Sequence, residues 1–273
     1  MTAAIGDNLV VQGLWIGGRL SALERLCIFS FCAHGHQFHL YHYDKLQNIP
    51  QAEGLRLINA EEILPRTAIF RHRKGSLAYF ADNFRWELMR QKGGWWMDMD
   101  TICIRPLDIA APLAFVRDIK AHRMLNGMLK FPRGHFLAAA LADSYNNVNR
   151  IQEWDDVKAA IIKLRRRLLF WQDSRRYIRG RDGGGMISLM SAVRHFGLQD
   201  YALPSAAFFL PGDPQGQAVI DGAGYDFAAL LSRHSQLRGI HLCNTHLQKA
   251  GIDKDGDYAA DSLYEVLKRR YAN

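Results

Sequence analysis

Long apolar runs are missing from the chain. No stretch approaches the roughly 18–20 apolar residues needed to span a bilayer, and Met1 to Asp7 lacks a basic segment followed by an apolar one. A secreted or membrane-spanning product is therefore not expected, and a cytoplasmic one is. Cysteine is sparse: Cys27, Cys32, Cys103 and Cys243 are scattered without a C-x-x-C pair, which argues against a zinc cluster and a disulfide framework and leaves reduced thiols as the expectation. Neither G-x-x-x-x-G-K-[ST] nor G-x-S-x-G occurs, so P-loop and serine-hydrolase chemistry lose their markers. Internal repeats, low-complexity tracts and convincing linkers are also absent, which makes a single domain over residues 1–273 the economical organisation. With 48% hydrophobic and 23% charged residues, the composition is too apolar for a disordered chain.

Charge is unevenly placed. The net charge is +8, and the segment from Lys158 to Arg181 holds nine basic side chains against Asp173 alone, so the remainder is close to neutral. Val157, Ile161, Leu164, Leu168 and Trp171 share one face of a helix predicted over Val157 to Trp171. Two readings stand: the helix sits at an anionic membrane surface, or its apolar side docks on the core and its arginines are solvated. A polyanion or nucleic-acid binding module is a weaker rival, because aromatics are not interleaved with these arginines and the basic residues are confined to one stretch.

The opening reads as β-α-β. Gln12 to Gly18 is a short apolar strand ending in two glycines, Ser21-Ala22-Leu23-Glu24 has capping-box spacing for a helix, Gly35 stands where that helix should stop, and Gln37 to Tyr43 is a second strand. Such an opening belongs to an α/β fold with a mainly parallel sheet flanked by helices. A second helix is expected from about Ser76 to Lys92, burying Leu77, Phe80, Ala81, Phe84 and Leu88, and Gly93-Gly94 ends it. Trp95 to Ile104 then reads as one apolar strand carrying Asp98 and Asp100 on the same side. Further elements are a strand over Met124 to Phe131, a helix from Gly134 to about Asn149, a glycine loop from Arg181 to Gly185 followed by a helix through His195, a strand at Gly239 to Leu242, and a last helix over Ser262 to Arg270.

The chemistry points to Gly93-Gly94-Trp95-Trp96-Met97-Asp98-Met99-Asp100. Two carboxylates in an apolar strand are costly to bury unless a cation sits between them. A divalent ion meets that need, and oxygen ligands suit Mg²⁺ or Mn²⁺, ions commonly shared with the phosphates of a substrate. A nucleotide diphosphate is the implied substrate class. The plainer reading is that the two acids cap a turn or pair with arginines. On the preceding helix, Asp82 and Arg85 lie one turn apart, so Arg85 is suited to phosphate or a sugar hydroxyl and Asp82 to accepting bonds from sugar hydroxyls; alone, they are a surface ion pair. Asp253 to Asp257 is not an EF-hand, since its glycine is at the fourth position and Tyr264 replaces the twelfth-position Glu.

Taken in order, Leu14-Trp15-Ile16-Gly17-Gly18, Asp82-x-x-Arg85, Gly93 to Asp100 and His241-Leu242-Cys243-Asn244 resemble the DXD-containing sugar transferases. That group includes fungal outer-chain mannosyltransferases, animal α-1,4-galactosyltransferases, bacterial capsule and lipooligosaccharide transferases and, more remotely, glucosylating toxin domains. The resemblance runs from about residue 10 to 270. It implies a GT-A nucleotide-sugar transferase fold, a nucleotide-sugar-binding part over about 8–110, an acceptor-side and C-terminal part over about 111–273, dependence on Mn²⁺ or Mg²⁺, and retention of configuration. It implies that Trp15 stacks on the base, most often uracil, that Asp82 and Arg85 hold donor-sugar or ribose hydroxyls, that Asp98 faces ribose and metal, and that Asp100 binds the metal. Asp82, Arg85 and Asp100 are then the catalytic set, His241 or Asn244 completes the coordination or contacts phosphate, and Asn126 and Asp182 are candidates to face the sugars. The chain departs from the pattern at Cys243, where the family often has Trp, and at Gly183-Gly184-Gly185, where it commonly has Gly-Pro.

Together these readings give a metal-dependent hexosyltransferase that moves a sugar from a nucleotide donor, UDP-hexose above others, to a glycan or lipid-linked acceptor in bacterial surface polysaccharide synthesis. The enzymatic rival is a haloacid-dehalogenase-type phosphatase, with Asp98-Met99-Asp100-Thr101 as its nucleophile loop and Asp155-Asp156 as its late acidic pair.

Overall fold

The computed structural model describes residues 8–118, 123–169, 174–179, 185–213 and 215–272. In chain order its strands are β1 (Val10–Trp15), β2 (Gln37–His42), β3 (Leu55–Asn59), β4 (Gly94–Met97), β5 (Thr101–Cys103), β6 (Ala114–Asp118), β7 (Arg123–Phe131), β8 (Ala202–Pro204) and β9 (Gly239–His241). The helices are α1 (Ala22–Ala33), α2 (Ala78–Gln91), α3 (Phe136–Asn146), α4 (Val157–Leu169), α5 (Met186–His195), α6 (Gln217–Asp221), α7 (Phe227–Arg233), α8 (Asn244–Lys249) and α9 (Leu263–Tyr271). Seven strands form one mostly parallel sheet in the order β3-β2-β1-β4-β7-β6-β8, and β5 and β9 form a separate antiparallel ribbon. The expected α/β class with a mainly parallel, helix-flanked sheet is what the chain adopts. Residues 181–184 of the glycine loop, with Asp182 among them, and Trp171 lie outside the described residues. Among the described residues, no helix is long and apolar enough to cross a membrane.

The chain divides into two compact units. The first comprises residues 1–59, 97–110 and 205–273. Within it β1, β2 and β3 pair in parallel, and α1 starts as its sequence indicates: the Ser21 N–H donates to Glu24 Oε2 at 2.8 Å, one arm of a capping box. Its apolar core joins Leu23 and Leu26 of α1 to Ile102, Ile240, Val219 and Leu267. Gly13 on β1 permits a close approach, since a Cβ there would stand 2.7 Å from Met99 Sδ and 3.2 Å from the Met97 carbonyl.

Trp95 to Ile104 is not a single strand: β4 ends at Met97, a turn closes with the Thr101 N–H donating to the Asp98 carbonyl at 3.1 Å, and β5 then departs to pair with β9. Asp98 and Asp100 are therefore brought together by a turn and not by the two-residue alternation of a strand.

His36 is a buried polar anchor of the same unit. Its Nδ1 contacts the Asn8 carbonyl at 2.9 Å and its Nε2 accepts the Leu107 N–H at 3.1 Å, an arrangement that requires the neutral ring with its proton on Nδ1. Burial lowers its pKa, and burial likewise pulls His34 down to about 4. Both rings bind protons more readily in the unfolded chain. Their contribution is thus complete above the ordinary histidine value near 6.5 and is lost as pH falls through it toward the folded values. The urea midpoint is expected to fall between about pH 7.5 and 5.5, and His36→Gln should flatten that fall. An unchanged pH slope in the variant would contradict this account.

The second unit comprises residues 60–96 and 111–204. β6 pairs antiparallel with β7 and parallel with β8. Phe80, Phe84 and Leu88 of α2 are buried as expected, but so are Arg85, Trp86 and Met89, so the helix is enclosed on more than the predicted face. Gly93 has φ +68, and a Cβ there would lie 2.5 Å from the Arg133 nitrogen, which is why glycine ends α2. The expectation that the apolar side of α4 docks on the core is overturned. Val157, Leu164 and Leu168 are 75%, 51% and 76% exposed, whereas Ala159, Lys163 and Arg166 are buried.

Candidate metal centre

In the first unit, Asp98, Asp100 and His241 converge: one ligand atom from each lies within 4.8 Å of the others. The turn after β4 supplies the two carboxylates. The imidazole arrives through strand register, because β9 runs antiparallel to β5 with His241 opposite Thr101, next to Asp100 in the chain. The pairing is extended by the Leu242 N–H, which donates to the Asp100 carbonyl at 2.9 Å.

Asp100 is nearly enclosed. Its Oδ2 accepts the Asn244 backbone N–H at 2.6 Å. Its Oδ1 is buried without a hydrogen-bond partner, in ionic contact with His241 Nε2 at 3.1 Å. Burial pushes the Asp100 carboxyl upward, but the His241 charge and the Asn244 N–H outweigh it and hold the acid at about 2. For His241, burial acts downward and the Asp100 charge overrides it, raising the ring well above the ordinary histidine value. The carboxylate is therefore ionised and attracts positive charge to Oδ1. Asp98 is half-buried, which leaves the cluster open on its side. Two carboxylates and an imidazole fit a divalent cation, which would take the place of the His241 proton between Nε2 and Asp100 Oδ1.

Cys243 is a residue that sequence reasoning treated only as a departure from a pattern. It adopts a left-handed backbone, φ 48, caps α8, and brings its Sγ within 3.4 Å of His241 Nδ1. That bend aims the Asn244 N–H at Asp100. Asn244 Oδ1 is also buried without a hydrogen-bond partner.

Trp15 closes β1 in the same unit and is half-buried. Its indole N–H donates to the Arg19 carbonyl at 3.0 Å across the Gly17-Gly18 turn, and Lys254 Nζ lies 5.4 Å from its ring centroid while pairing with Glu24 at 2.5 Å. Nearby, Asp255 accepts the Ala22 N–H and pairs with Arg19, so the acidic 253–257 segment secures the start of α1.

The second unit assembles Asp82, Arg85 and Asn126. Asp82 Oδ1 accepts from Arg85 Nη1 and from Asn126 Nδ2, each at 2.9 Å, and Oδ2 accepts from the Tyr145 hydroxyl at 3.3 Å. The Arg85 guanidinium stacks 4.8 Å from the ring centroid of buried Trp96. Tyr145, absent from the sequence reading, comes from α3 and carries no motif that would have flagged it.

Comparisons with known proteins reach only solved structures. The chain is similar to a PaToxG glycosyltransferase at 10% identity, TM-score 0.44, over 97% of this chain and 84% of that one. It is also similar to the apo structure of the WbbM bifunctional glycosyltransferase at 14% identity, TM-score 0.42, over 98% of this chain and half of the other. No family model matches, and no curated protein matches.

Asp155 is buried against Lys163 at 2.6 Å and Asp156 Oδ1 accepts the Ala159 N–H at 2.8 Å, so the acidic pair a phosphatase would need is committed to α4. A cavity of about 400 Å³ in the first unit, lined by residues including Leu210, Asp213, Tyr225 and Arg233, contains none of the predicted site residues.

Proposed function

We propose that this chain is a metal-dependent glycosyltransferase of GT-A type that moves a hexose from a nucleotide sugar, UDP-hexose above others, to a glycan or lipid-linked acceptor of bacterial surface polysaccharide synthesis, with retention of configuration. The observation that carries the reading is the convergence of Asp98, Asp100 and His241, with the buried Asp100 Oδ1 facing His241 Nε2 at 3.1 Å. In this reading Asp98, Asp100 and His241 hold the ion. The mixed oxygen and nitrogen donor set suits Mn²⁺ better than Mg²⁺. Bound there, the ion would offset negative charge on the diphosphate leaving group.

This chain's own residues would do the rest by placement. Asn244 and Cys243 fix Asp100, so its Oδ1 is pre-oriented before any donor arrives. Trp15 offers an aromatic face at a strand end for the base. Asp82 and Arg85, with Asn126, are assigned to donor hydroxyls; their mutual bonds make a rigid, pre-ordered set of donors and acceptors.

A thermal-shift panel of UDP, GDP and CMP sugars, each with and without Mn²⁺, tests the reading. A ligand at a hundred times its dissociation constant stabilises by about 2.7 kcal/mol, roughly 5–10 °C for a chain of this size. Stabilisation by one donor class, only with metal, is the expected result. Silence across all three classes overturns it, as does phosphate release from simple phosphomonoesters that survives Asp82→Ala.

A further inference from the structure

The helix α4 is oriented against the usual rule. Val157, Ile161, Leu164 and Leu168 form one stripe and are 75%, 45%, 51% and 76% exposed. The opposite side holds Ala159, Lys163 and Arg166, all buried: Lys163 pairs with Asp155, Arg166 Nε donates to Asn149 Oδ1 at 2.7 Å, and its guanidinium reaches the Val148 carbonyl. The polar side is thus committed inward, and the leucine stripe is what α4 presents to its surroundings. Contiguous exposed apolar surface of this kind marks an interaction face.

Its borders say what it meets. At 100° per residue, Arg165 and Lys158 project beside one edge of the stripe and Arg167 beyond the other, and all three are exposed. No ion-pair partner is found for these three among the described residues. Following α4, the 3-10 turn at Ser174–Tyr177 packs beside it and adds exposed Arg176, whose carbonyl accepts the N–H of Arg73 from a loop that also carries exposed Lys74. An apolar stripe bordered by cations on both sides matches an acyl boundary beneath anionic headgroups, with the longer side chains reaching outward to phosphate. A second copy of this chain packed stripe to stripe would bring like charges together at both borders.

We propose that α4 lies on an anionic membrane surface, its leucine stripe in the acyl boundary and Lys158, Arg165, Arg167 and Arg176 on lipid phosphates. This does not rest on the sugar-transfer reading. Flotation of the full chain tests it with vesicles of phosphatidylcholine alone and of phosphatidylcholine mixed with phosphatidylglycerol. The chain is expected to float with the mixed vesicles only and to release at high salt. Leu164→Ser/Leu168→Ser should lower that binding about tenfold or more. Arg165→Glu/Arg167→Glu should lower it roughly thirtyfold. Circular dichroism and the urea midpoint confirm that both variants fold, and Asp100→Ala should float like the parent. The proposal is overturned if the parent ignores mixed vesicles, if the leucine variant floats equally well, or if the parent is a dimer that the leucine variant converts to monomer.

Discussion

Asp100→Asn is expected to lower sugar transfer by about two to three orders of magnitude and to abolish Mn²⁺-dependent stabilisation by the donor. The carboxylate has two separable tasks. Oδ2 accepts the Asn244 N–H at 2.6 Å, while Oδ1 is buried, in ionic contact with His241 Nε2 at 3.1 Å and grouped with Asp98. An amide of the same shape keeps an acceptor for Asn244 but removes the charge that a divalent ion would need. Asp100→Ala removes both, leaving the Asn244 N–H unsatisfied at a cost of about 1–3 kcal/mol in addition to the activity loss. The two variants should therefore match in activity and differ in metal-free urea midpoint. If Asp100→Asn retained metal-dependent donor stabilisation, the cluster would be an ion pair and not a metal centre.

Much of this site was legible in the sequence because its parts are local. The acids are two residues apart, the glycines before them are adjacent, and the capping box at Ser21 follows a fixed spacing. The long-range parts were not. Nothing near His241 indicates which carboxylate it meets; the register of a three-residue ribbon, Thr101 opposite His241, decides that. The misread at Asp98 to Asp100 has a similar cause: hydrophobic alternation looks the same through a tight turn flanked by short strands as along one strand. β3 and β6 were missed because LRLIN is largely exposed and without alternation, and AFVRD joins its sheet through a bulge beside Val116.

The two readings left open at α4 have another origin, which leads to the largest stability effect. Periodicity reports which residues share a face; it does not report which face is covered. Here Lys163 and Asp155 have side chains only 2% and 1% exposed, joined at 2.6 Å, with the Gln152 N–H also donating to Asp155 at 2.8 Å. A buried pair of this kind adds little over a well-packed apolar pair, but removing one member strands the other charge at a cost of about 3–5 kcal/mol. Asp155→Ala is expected to destabilise the protein by that amount in urea denaturation, and Lys163→Met by a similar one. Joining Asp155→Leu to Lys163→Met should recover most of the loss, short of the bond from Gln152. Leu168→Ser, by contrast, should shift stability by less than about 0.5 kcal/mol because its side chain is already in water. In an ordinary amphipathic helix the ranking is reversed: leucines anchor and lysines are dispensable. Finding that ordinary ranking would mean that α4 turns its apolar stripe inward, and the leucine face would then have nothing to offer a lipid surface.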